Sequence, residues 1–235
     1  MNRTQFRDYE SLSRAAAGQI LSIVSTNPKA RLCLATGSTP TRTYELLVDL
    51  VKEVESAFDS ATVIKLDEWI GLEKTDPATC EHYLARHVIT PLKISDDRYL
   101  AFASNAEDRV QECARVQERL DRNAPIDVCV LGLGTNGHLG FNEPGDKLEP
   151  HVHVAKLLEE TRQHKMVRSH AVAPEYGYTI GIGDILRSRK ILLLVSGEHK
   201  TAQLKRLLEP RIETKFPASF LWLHPNVDLY CDVPV

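Results

Sequence analysis

An imidazole and a carboxylate lie five residues apart in a glycine-rich stretch of the chain, residues 126–145 (IDVCVLGLGTNGHLGFNEPG). The imidazole is that of His138, the carboxylate that of Glu143, and the Asn136 amide precedes both. Histidine has the side-chain pKa nearest neutrality, so a His–carboxylate pair suits general acid–base chemistry. The alternative is a connector with a solvent-exposed His and Glu, because a glycine-rich loop alone is a weak functional signal.

Two further carboxylates, Asp67 and Glu68, directly follow the apolar segment 62–66 (TVIKL) and precede Trp69. Carboxylates near a buried strand cost free energy unless they are solvated, hydrogen-bonded or used in catalysis. Trp69 can exclude water and raise the pKa of a neighbouring carboxyl group, which suits a proton-transfer role. The alternative is that Asp67 caps a helix or a turn.

The segment TGSTPT (36–41) lies between an apolar strand pattern and a helical pattern. Free backbone N–H groups and the helix dipole attract an anion at such a turn, and Gly37 permits close approach. Hydroxyl donors are supplied by Thr36, Ser38 and Thr39. The turn is not a Walker loop, since GK[ST] is absent, and the alternative is an ordinary capped helix start.

Basic residues for the same anion occur later in the chain. Lys200 lies in SGEHK, in the first turn of a predicted helix, where its charge opposes the dipole unless an anion is present. The basic segment 159–169 contains Arg162, His164, Lys165 and Arg168. These side chains are also candidates for anion binding, although a run of charges usually forms a solvated face.

Composition excludes several classes of function. The net charge of -3 over 235 residues gives no electrostatic reason to expect nucleic acid or an anionic membrane as a partner. No apolar run reaches the roughly 18 residues that span a bilayer, and no apolar signal-peptide segment follows the first residues, so we expect a cytoplasmic protein. The five cysteines form no CxxC pair, and His151 and His153 lack further ligands at a matching spacing. We therefore expect neither a disulfide framework nor a metal site.

The apolar periodicity predicts strands that alternate with helices. Helices are predicted at 8–26, 44–54, 77–91, 105–122 and 159–169, and strands at 31–35, 62–66, 98–102, 126–131, 151–154, 178–182, 190–195 and 227–231. This order predicts an α/β fold of one domain, residues 1–235, with a doubly wound, mostly parallel Rossmann-like sheet and helices on both faces. The polar turns then converge at the carboxyl ends of the strands, as a set suited to proton transfer on a phosphorylated small molecule.

Four segments in order along residues 31–224 resemble signatures of the glucosamine-6-phosphate deaminase/isomerase family: LATGSTPTRTYELL, VIKLDEWIGL, LGLGTNGHLGFNEPG and VSGEHKT. The sequence is most similar to the branch of deaminating galactosamine-6-phosphate isomerases. The resemblance implies that a 6-phosphorylated 2-amino-2-deoxyhexose is converted into a ketose phosphate and ammonia, without an organic cofactor or a metal. The sugar phosphate is then the expected partner, and a homo-oligomer is left open.

The resemblance also implies roles for individual residues. Asp67 matches the base that carries a proton between C2 and C1 of the opened sugar, His138 the acid that assists ring opening, and Glu143 its carboxylate partner. Residues that match the phosphate and substrate site are Thr36, Gly37, Ser38, Thr39, Gly137 and Lys200. The register around the phosphate arginine is ambiguous, and Arg168 is preferred over Arg162.

Asn136 is the main departure from the family pattern. The glucosamine enzymes carry Asp two residues before the histidine, and an amide can neither hold a negative charge nor accept a proton at neutral pH. The relay is thus reduced to His138 and Glu143, and we associate the NGH motif with the galactosamine branch. The alternatives are a 6-phosphogluconolactonase, which shares the fold and a related glycine-rich His loop, and a non-catalytic sugar-phosphate sensor, which Asn136 suggests.

Overall fold

The computed structural model describes residues 1–54, 56–122, 125–168, 170 and 173–234. In this part of the chain the strands are β1 (Asn2–Gln5), β2 (Arg31–Leu34), β3 (Thr62–Lys65), β4 (Asp67–Trp69), β5 (Tyr99–Leu100), β6 (Val128–Gly132), β7 (His153–Lys156), β8 (Tyr176–Thr179), β9 (Ile191–Val195) and β10 (Val227–Cys231). The α-helices are α1 (Tyr9–Thr26), α2 (Ser38–Val51), α3 (Cys80–Leu84), α4 (Arg109–Arg122), α5 (Glu159–Arg162), α6 (Ile182–Leu186) and α7 (Thr201–Leu208).

Seven strands form a central sheet in the order β1-β10-β9-β6-β2-β3-β5, and every neighbouring pair in it is parallel. The inner strands β2 and β9 are buried along their whole length, as expected for apolar strands covered on both faces. One apolar core lies on each face of this sheet. The prediction of a mostly parallel, doubly wound sheet is confirmed.

The helix α1 has a clear start and a packing partner. The Asp8 carboxylate accepts a hydrogen bond from the backbone N–H of Ser11 at 2.7 Å, which caps the first turn. The buried face of α1 includes Leu12, Ala16 and Ile20, and these residues join the core cluster that also contains Tyr44 and other residues of α2. The helix predicted over 8–26 is confirmed to within one residue.

A second sheet, in the order β4-β8-β7, was not anticipated from the sequence. Its strands are antiparallel, and Asp67 pairs with Thr179 while His153 pairs with the same residue from the other side. The prediction that Asp67 follows its strand as a loop is therefore wrong, because residues 67–69 form β4. Likewise, the segments predicted as strands at 151–154 and 178–182 belong to this small sheet and not to the central one.

Other predicted boundaries also differ. The helix predicted over 159–169 is a single α-helical turn, α5, and its last predicted residue lies outside the described residues. The helix predicted over 77–91 is α3 followed by a π-helical turn, Ala85–Ile89. The strand β1 and the helix α6 were not predicted; all four residues of β1 are exposed, so its sequence carries no apolar alternation.

Within the described residues, no helix has both the length and the apolar character that a membrane crossing requires.

Candidate active site

Four loops that carry the predicted site residues leave adjacent strands of the central sheet. The strands β9, β6, β2 and β3 are neighbours and parallel, so their carboxyl ends lie along one edge. The segments that follow them contain Lys200, His138, Gly37 and Asp67 respectively. Because ligands of open α/β sheets bind outside the carboxyl ends of the strands, this edge is the candidate active site.

The Asp67 carboxylate is held at the start of β4 in a largely dry environment. Only 8% of the residue is exposed, and burial raises the pKa of its carboxyl group from 3.8 to about 7. The negative charge of Glu68 contributes to this rise, whereas the charge of His138 and a hydrogen bond from the Cys80 thiol act against it. A carboxyl group with a pKa near neutrality can both accept and return a proton at neutral pH.

Glu68 has a different, structural role. Its carboxylate is fully buried and accepts a hydrogen bond at 2.7 Å from Lys65 Nζ, and it also accepts the backbone N–H groups of Trp69, Cys80 and Glu81 at 2.8–2.9 Å. These contacts tie β3, β4 and the start of α3 together. Since side chains alternate along a strand, Glu68 points away from the face shared by Asp67 and Trp69.

His138, Glu143 and Asn136 form one hydrogen-bonded cluster. His138 Nδ1 lies 3.3 Å from Glu143 Oε2, and Asn136 Nδ2 donates to the same oxygen at 2.8 Å. The side-chain oxygen of Asn136, Oδ1, accepts a hydrogen bond from the backbone N–H of His138 at 3.1 Å. Thr161 Oγ1, from α5, lies 3.2 Å from His138 Nδ1. The cluster fixes the orientation of the imidazole ring and leaves its Nε2 atom outside these contacts.

Glu143 is ionised at neutral pH in this environment. Burial alone would raise the pKa of its carboxyl group, but the hydrogen bond and charge of His138, with the hydrogen bonds of Thr161 and Asn136, bring it below its usual value. An ionised Glu143 favours a proton on His138 Nδ1. Asn136 contributes a neutral donor at the position where a carboxylate would repel Glu143.

Glycines shape the loop around the imidazole. Gly137 has φ of +89°, and a Cβ atom there would lie 2.2 Å from the ring of Phe216. A Cβ atom at Gly134 would lie 2.1 Å from the ring of His138. The Gly137 carbonyl accepts the N–H of Ala218 at 2.9 Å, which holds the loop against the turn Pro217–Leu223. Both glycines are required for the close approach of this loop to its neighbours.

The turn after β2 differs from the alternative interpretation, in which a side chain caps the helix start. The helix α2 begins at Ser38, so Ser38 and Thr39 lie in its first turn, and Gly37 occupies the N-cap with φ of +111°. No side chain accepts a hydrogen bond from the first turn at this cap. The N–H groups at the start of α2 therefore lack the side-chain cap that the alternative interpretation requires, and an anion can serve as their acceptor.

Three hydroxyl groups hold the backbone of this turn. Tyr83 and Thr41 donate to the Gly37 carbonyl at 2.9 and 2.8 Å. Tyr9 OH lies 2.7 Å from the carbonyl oxygen of Ser38 and 2.9 Å from that of Thr39. The carbonyl oxygens of Gly37, Ser38 and Thr39 thus accept hydrogen bonds from these hydroxyl groups, whereas the N–H groups of the first turn are left for a ligand.

Lys200 ends a short 3-10 turn, Glu198–Lys200, and occupies the N-cap of α7. Burial lowers the pKa of its ammonium group to about 8, because it removes solvation from the charged form. Gln203, on the same helix, donates to the carbonyl of Thr135 at 2.6 Å. This contact joins the helix that carries Lys200 to the loop that carries His138.

His164 was expected only as one candidate for anion binding in a basic run, and the structure gives it a different environment. The pKa of its imidazole is lowered to about 4, chiefly by burial and also by the charges of His138, Lys165 and Lys200. Its ring stacks on Trp69, with centroids 6.2 Å apart. His164 is therefore a neutral ring between the loops that carry the other candidates. The stacking of His164 on Trp69 could not be predicted from the sequence, because the two residues are distant in the chain. Periodicity reports only on contacts within one element.

Arg168 is not brought into the cluster by any described side-chain contact. The residue is exposed, and its backbone N–H donates to the His164 carbonyl at 2.9 Å. Arg162 forms an ion pair with Glu159, one helical turn earlier in α5, at 3.5 Å. The choice between the two arginines stays a prediction.

A cavity of about 430 Å³ borders the turn after β2. Its lining includes Gly37 and Ser38 on one side and Lys165 and Met166 on the other. Asp67, His138 and Lys200 are not part of this lining, so the cavity adjoins the candidate site and does not contain its proton-transfer groups. We place the chemistry at the converging side chains and not in this cavity.

The described residues contain no group of three or more His, Cys, Asp or Glu side chains suited to a metal ion. His151 and His153 have other partners: His151 Nδ1 lies 3.3 Å from Asp184, and His153 Nδ1 lies 2.8 Å from the His151 carbonyl.

Comparison with known proteins gives consistent matches over almost the whole chain. Residues 7–230 match the family model described as glucosamine-6-phosphate isomerases/6-phosphogluconolactonase. The chain is 42% identical over 222 residues to the Escherichia coli K12 protein named "Putative deaminase AgaI", covering 94% of this chain and 88% of that protein. It is 38% identical to the glucosamine-6-phosphate deaminase of Bacillus velezensis, covering 99% of this chain and 97% of that protein.

Solved structures agree with this. A structure described as a monomeric glucosamine-6-phosphate deaminase superposes with a TM-score of 0.93 at 36% identity, covering 98% of this chain and 97% of that one. The 6-phosphogluconolactonase of Trypanosoma brucei superposes with a TM-score of 0.77 at 20% identity, covering 98% of this chain and 95% of that one, a likeness of fold alone.

Proposed function

Because this chain belongs to the family of glucosamine-6-phosphate isomerases and 6-phosphogluconolactonases, we propose that it is an amino-sugar-phosphate deaminase. It converts a 6-phosphorylated 2-amino-2-deoxyhexose and water into a ketose 6-phosphate and ammonia. The observation that carries this proposal is a buried carboxylate at Asp67, with a pKa of about 7, that senses the charge of His138 at the same edge of the sheet.

Binding is the task of the turn after β2 and of Lys200. The uncapped N–H groups at the start of α2 donate hydrogen bonds to the phosphate, with the hydroxyl groups of Thr36, Ser38 and Thr39 as further donors. Lys200 supplies the cation, and Arg168 is the second basic residue that we assign to the phosphate. Holding the phosphate away from the reacting carbons fixes the position of C1 and C2 relative to the base.

Ring opening is the task of the histidine cluster. His138 is protonated at both ring nitrogens in this step. Its Nδ1–H donates a hydrogen bond to Glu143, and its Nε2 proton is transferred to the ring oxygen of the sugar. The ionised Glu143 holds the imidazole ring by its Nδ1 atom and leaves Nε2 for the sugar. Asn136 holds the Glu143 carboxylate in place without adding a charge.

Isomerisation is the task of Asp67. Its carboxylate removes the proton from C2 of the open aldose while O1 gains the proton that the C2 ammonium group gives up, which leaves an enolamine with a C1–C2 double bond. Asp67 then returns its proton to C1, so C1 becomes a CH2OH group and C2 becomes an iminium carbon. Water adds to that carbon, and the C2–N bond breaks to release ammonia. A carboxyl group with a pKa near 7 suits both halves of this transfer, because its basic and acidic forms are similarly populated at neutral pH.

We propose galactosamine 6-phosphate as the preferred substrate, giving tagatose 6-phosphate, ahead of glucosamine 6-phosphate, giving fructose 6-phosphate. This rests on Asn136-Gly137-His138, the NGH motif that resembles the galactosamine branch.

Ammonia release measured with the two hexosamine phosphates and with 6-phosphogluconolactone tests the proposal. We expect release from galactosamine 6-phosphate with the higher kcat/KM, and slower release from the glucosamine epimer. Faster hydrolysis of the lactone than deamination of either sugar would favour a lactonase. Tight sugar-phosphate binding without turnover, unchanged in the Asn136→Asp variant, would favour a sensor.

A further inference from the structure

One buried thiol lies between the proposed base and the phosphate turn. Cys80, the first residue of α3, is 1% exposed, and its Sγ atom lies 3.7 Å from Asp67 Oδ1. On its other side, Thr36 Oγ1 donates to the same sulfur at 3.3 Å. The sulfur therefore accepts from the turn after β2 and donates to the carboxylate on β4, which are distant in the sequence.

The backbone around this thiol is rigidly held. The Cys80 N–H donates to Glu68 Oε1 at 2.9 Å, and Glu68 in turn is fixed by the Lys65 ammonium group. Thr79 caps α3 by accepting the N–H of His82 at 3.0 Å. The position of the sulfur relative to Asp67 is thus set by a saturated, buried network and not by packing of the side chain alone.

We propose that Cys80 is a positioning residue: its thiol orients the Asp67 carboxylate and couples it to the occupancy of the Thr36 turn. The inference rests on the proposed function, because it assigns Asp67 the proton transfer. A buried free cysteine usually acts as a small apolar side chain, but here both hydrogen-bonding capacities of the sulfur are used on candidate site residues. When phosphate draws the Thr36 hydroxyl to itself, the donation to the sulfur changes, and the base receives that change through the thiol.

The ionisable groups that act on this contact come from several elements. The charges or hydrogen bonds that bear on Asp67 or on Cys80 are those of Lys65, Glu68, His138 and Thr36, and the Asp67 charge in turn acts on Cys33 and Tyr44. Donation from the thiol stabilises the ionised carboxylate, so its loss raises the pKa of Asp67. A carboxyl group with a higher pKa is less ionised below pH 7. Without the thiol donor, kcat therefore falls below pH 7 and recovers at higher pH.

The test uses Cys80→Val, which fills the space without a donor, Cys80→Ser, which keeps a donor, and Cys113→Val on α4 as a matched control. The pKa of Asp67 is read by carbon-13 NMR of labelled carboxyl groups without substrate. The pH dependence of kcat and KM is read with galactosamine 6-phosphate and glucosamine 6-phosphate. For Cys80→Val we expect a pKa raised by about half a unit or more, and a several-fold lower kcat at pH 6 with little change in KM.

The Cys80→Ser and Cys113→Val variants should show no such rise. Coupling to the turn predicts that Thr36→Val raises the pKa of Asp67 in the wild type but not in the Cys80→Val background.

A wild-type pKa in Cys80→Val, or an equal rise in Cys80→Ser, would overturn the inference. If Cys80→Val does not fold, a pKa in Cys80→Ser above that of the wild type overturns it, and an equal or lower pKa supports it. A lack of deamination in the wild type would reject the proposed function alone, since the NMR measurement needs no turnover.

Discussion

The neighbouring carboxyl groups of Asp67 and Glu68 lie in very different electrostatic environments. Glu68 accepts four hydrogen bonds, one from the Lys65 ammonium group, whereas the side-chain donor described for Asp67 is a weak one, the Cys80 thiol. The negative charge of Glu68 also raises the pKa of Asp67. The alternation of side chains along β4 thus separates a structural carboxylate from a reactive one.

The variant Asp67→Asn should lose nearly all turnover while keeping substrate affinity. An amide has the shape of the carboxylic acid but cannot accept the C2 proton, and loss of a positioned general base typically lowers kcat by about 10²-fold or more. Steady-state kinetics with a direct binding measurement separates the two effects. The exposed residue Asp59 offers a matched control, Asp59→Asn, and a kcat within about twofold of wild type for Asp67→Asn would remove Asp67 from the mechanism.

Lys200 should make substrate affinity depend on pH. Burial places the pKa of its ammonium group at about 8, so the charge is present at neutral pH and is lost as the pH rises above that value. We expect KM for the sugar phosphate to rise between pH 7.5 and 9, with kcat much less affected, and we expect Lys200→Ala to show a high, pH-independent KM over that range. The exposed Lys205 on the same helix serves as the control, Lys205→Ala; an unchanged KM in Lys200→Ala counts against the phosphate assignment.

At the scale of elements, the loop after β6 depends on the absence of a side chain at Gly137. A Cβ atom there would meet the Phe216 ring at 2.2 Å, and the φ of +89° disfavours any other residue. Gly137→Ala should therefore displace the loop and lower kcat by about tenfold or more, since small misplacements of catalytic groups are costly. Gly132→Ala is the matched control, because a Cβ atom there has nothing within 4 Å. Equal kinetics in the two variants would show that the loop tolerates the added atom.

The inner strands β6 and β9 of the central sheet were predictable because they are apolar along their length. Segments such as 190–195 and 126–131 have few interpretations other than buried parallel strands, and the structure places them as β9 and β6. The small sheet was not predictable, because β4 is three residues long and contains two carboxylates. Its formation depends on Glu68 finding four donors from α3, β3 and its own strand, which is tertiary information absent from local periodicity.

The candidate site shows the same division. Residues in glycine-rich or hydroxyl-rich turns, such as His138 and Ser38, could be identified from local spacing. His164 and Cys80 could not, since their roles depend on contacts with Trp69 and Asp67 in other elements. The helix expected over 159–169 also gave the wrong surroundings for His164, because α5 ends at Arg162 and His164 lies beyond it.

At the scale of the whole molecule, Asp67 should reduce stability at alkaline pH. A carboxyl group whose pKa rises on folding from 3.8 to about 7 favours the folded state when protonated. That contribution is complete below pH 3.8 and is lost as the pH rises to about 7. Asp67→Asn should therefore be more stable than wild type at pH 8, by up to about 4 kcal/mol, and nearly equal to it at pH 4.

Urea unfolding of both proteins at the two pH values measures this difference. The exposed variant Asp59→Asn should show no comparable gain at pH 8. A free energy of unfolding for Asp67→Asn that is lower than that of wild type at pH 8 would contradict the burial-driven pKa.

The all-parallel arrangement of the central sheet has a consequence for how the chain acquires its structure. Leu32 pairs with Val128, and Cys129 pairs with Ile191, so the inner strands join segments that are synthesised far apart. Such non-local pairing makes folding slow, and until β9 arrives the apolar edge of β6 is open to other molecules. Refolding yield should consequently fall with protein concentration, and newly made chains should depend on chaperones until residues 191–195 have left the ribosome.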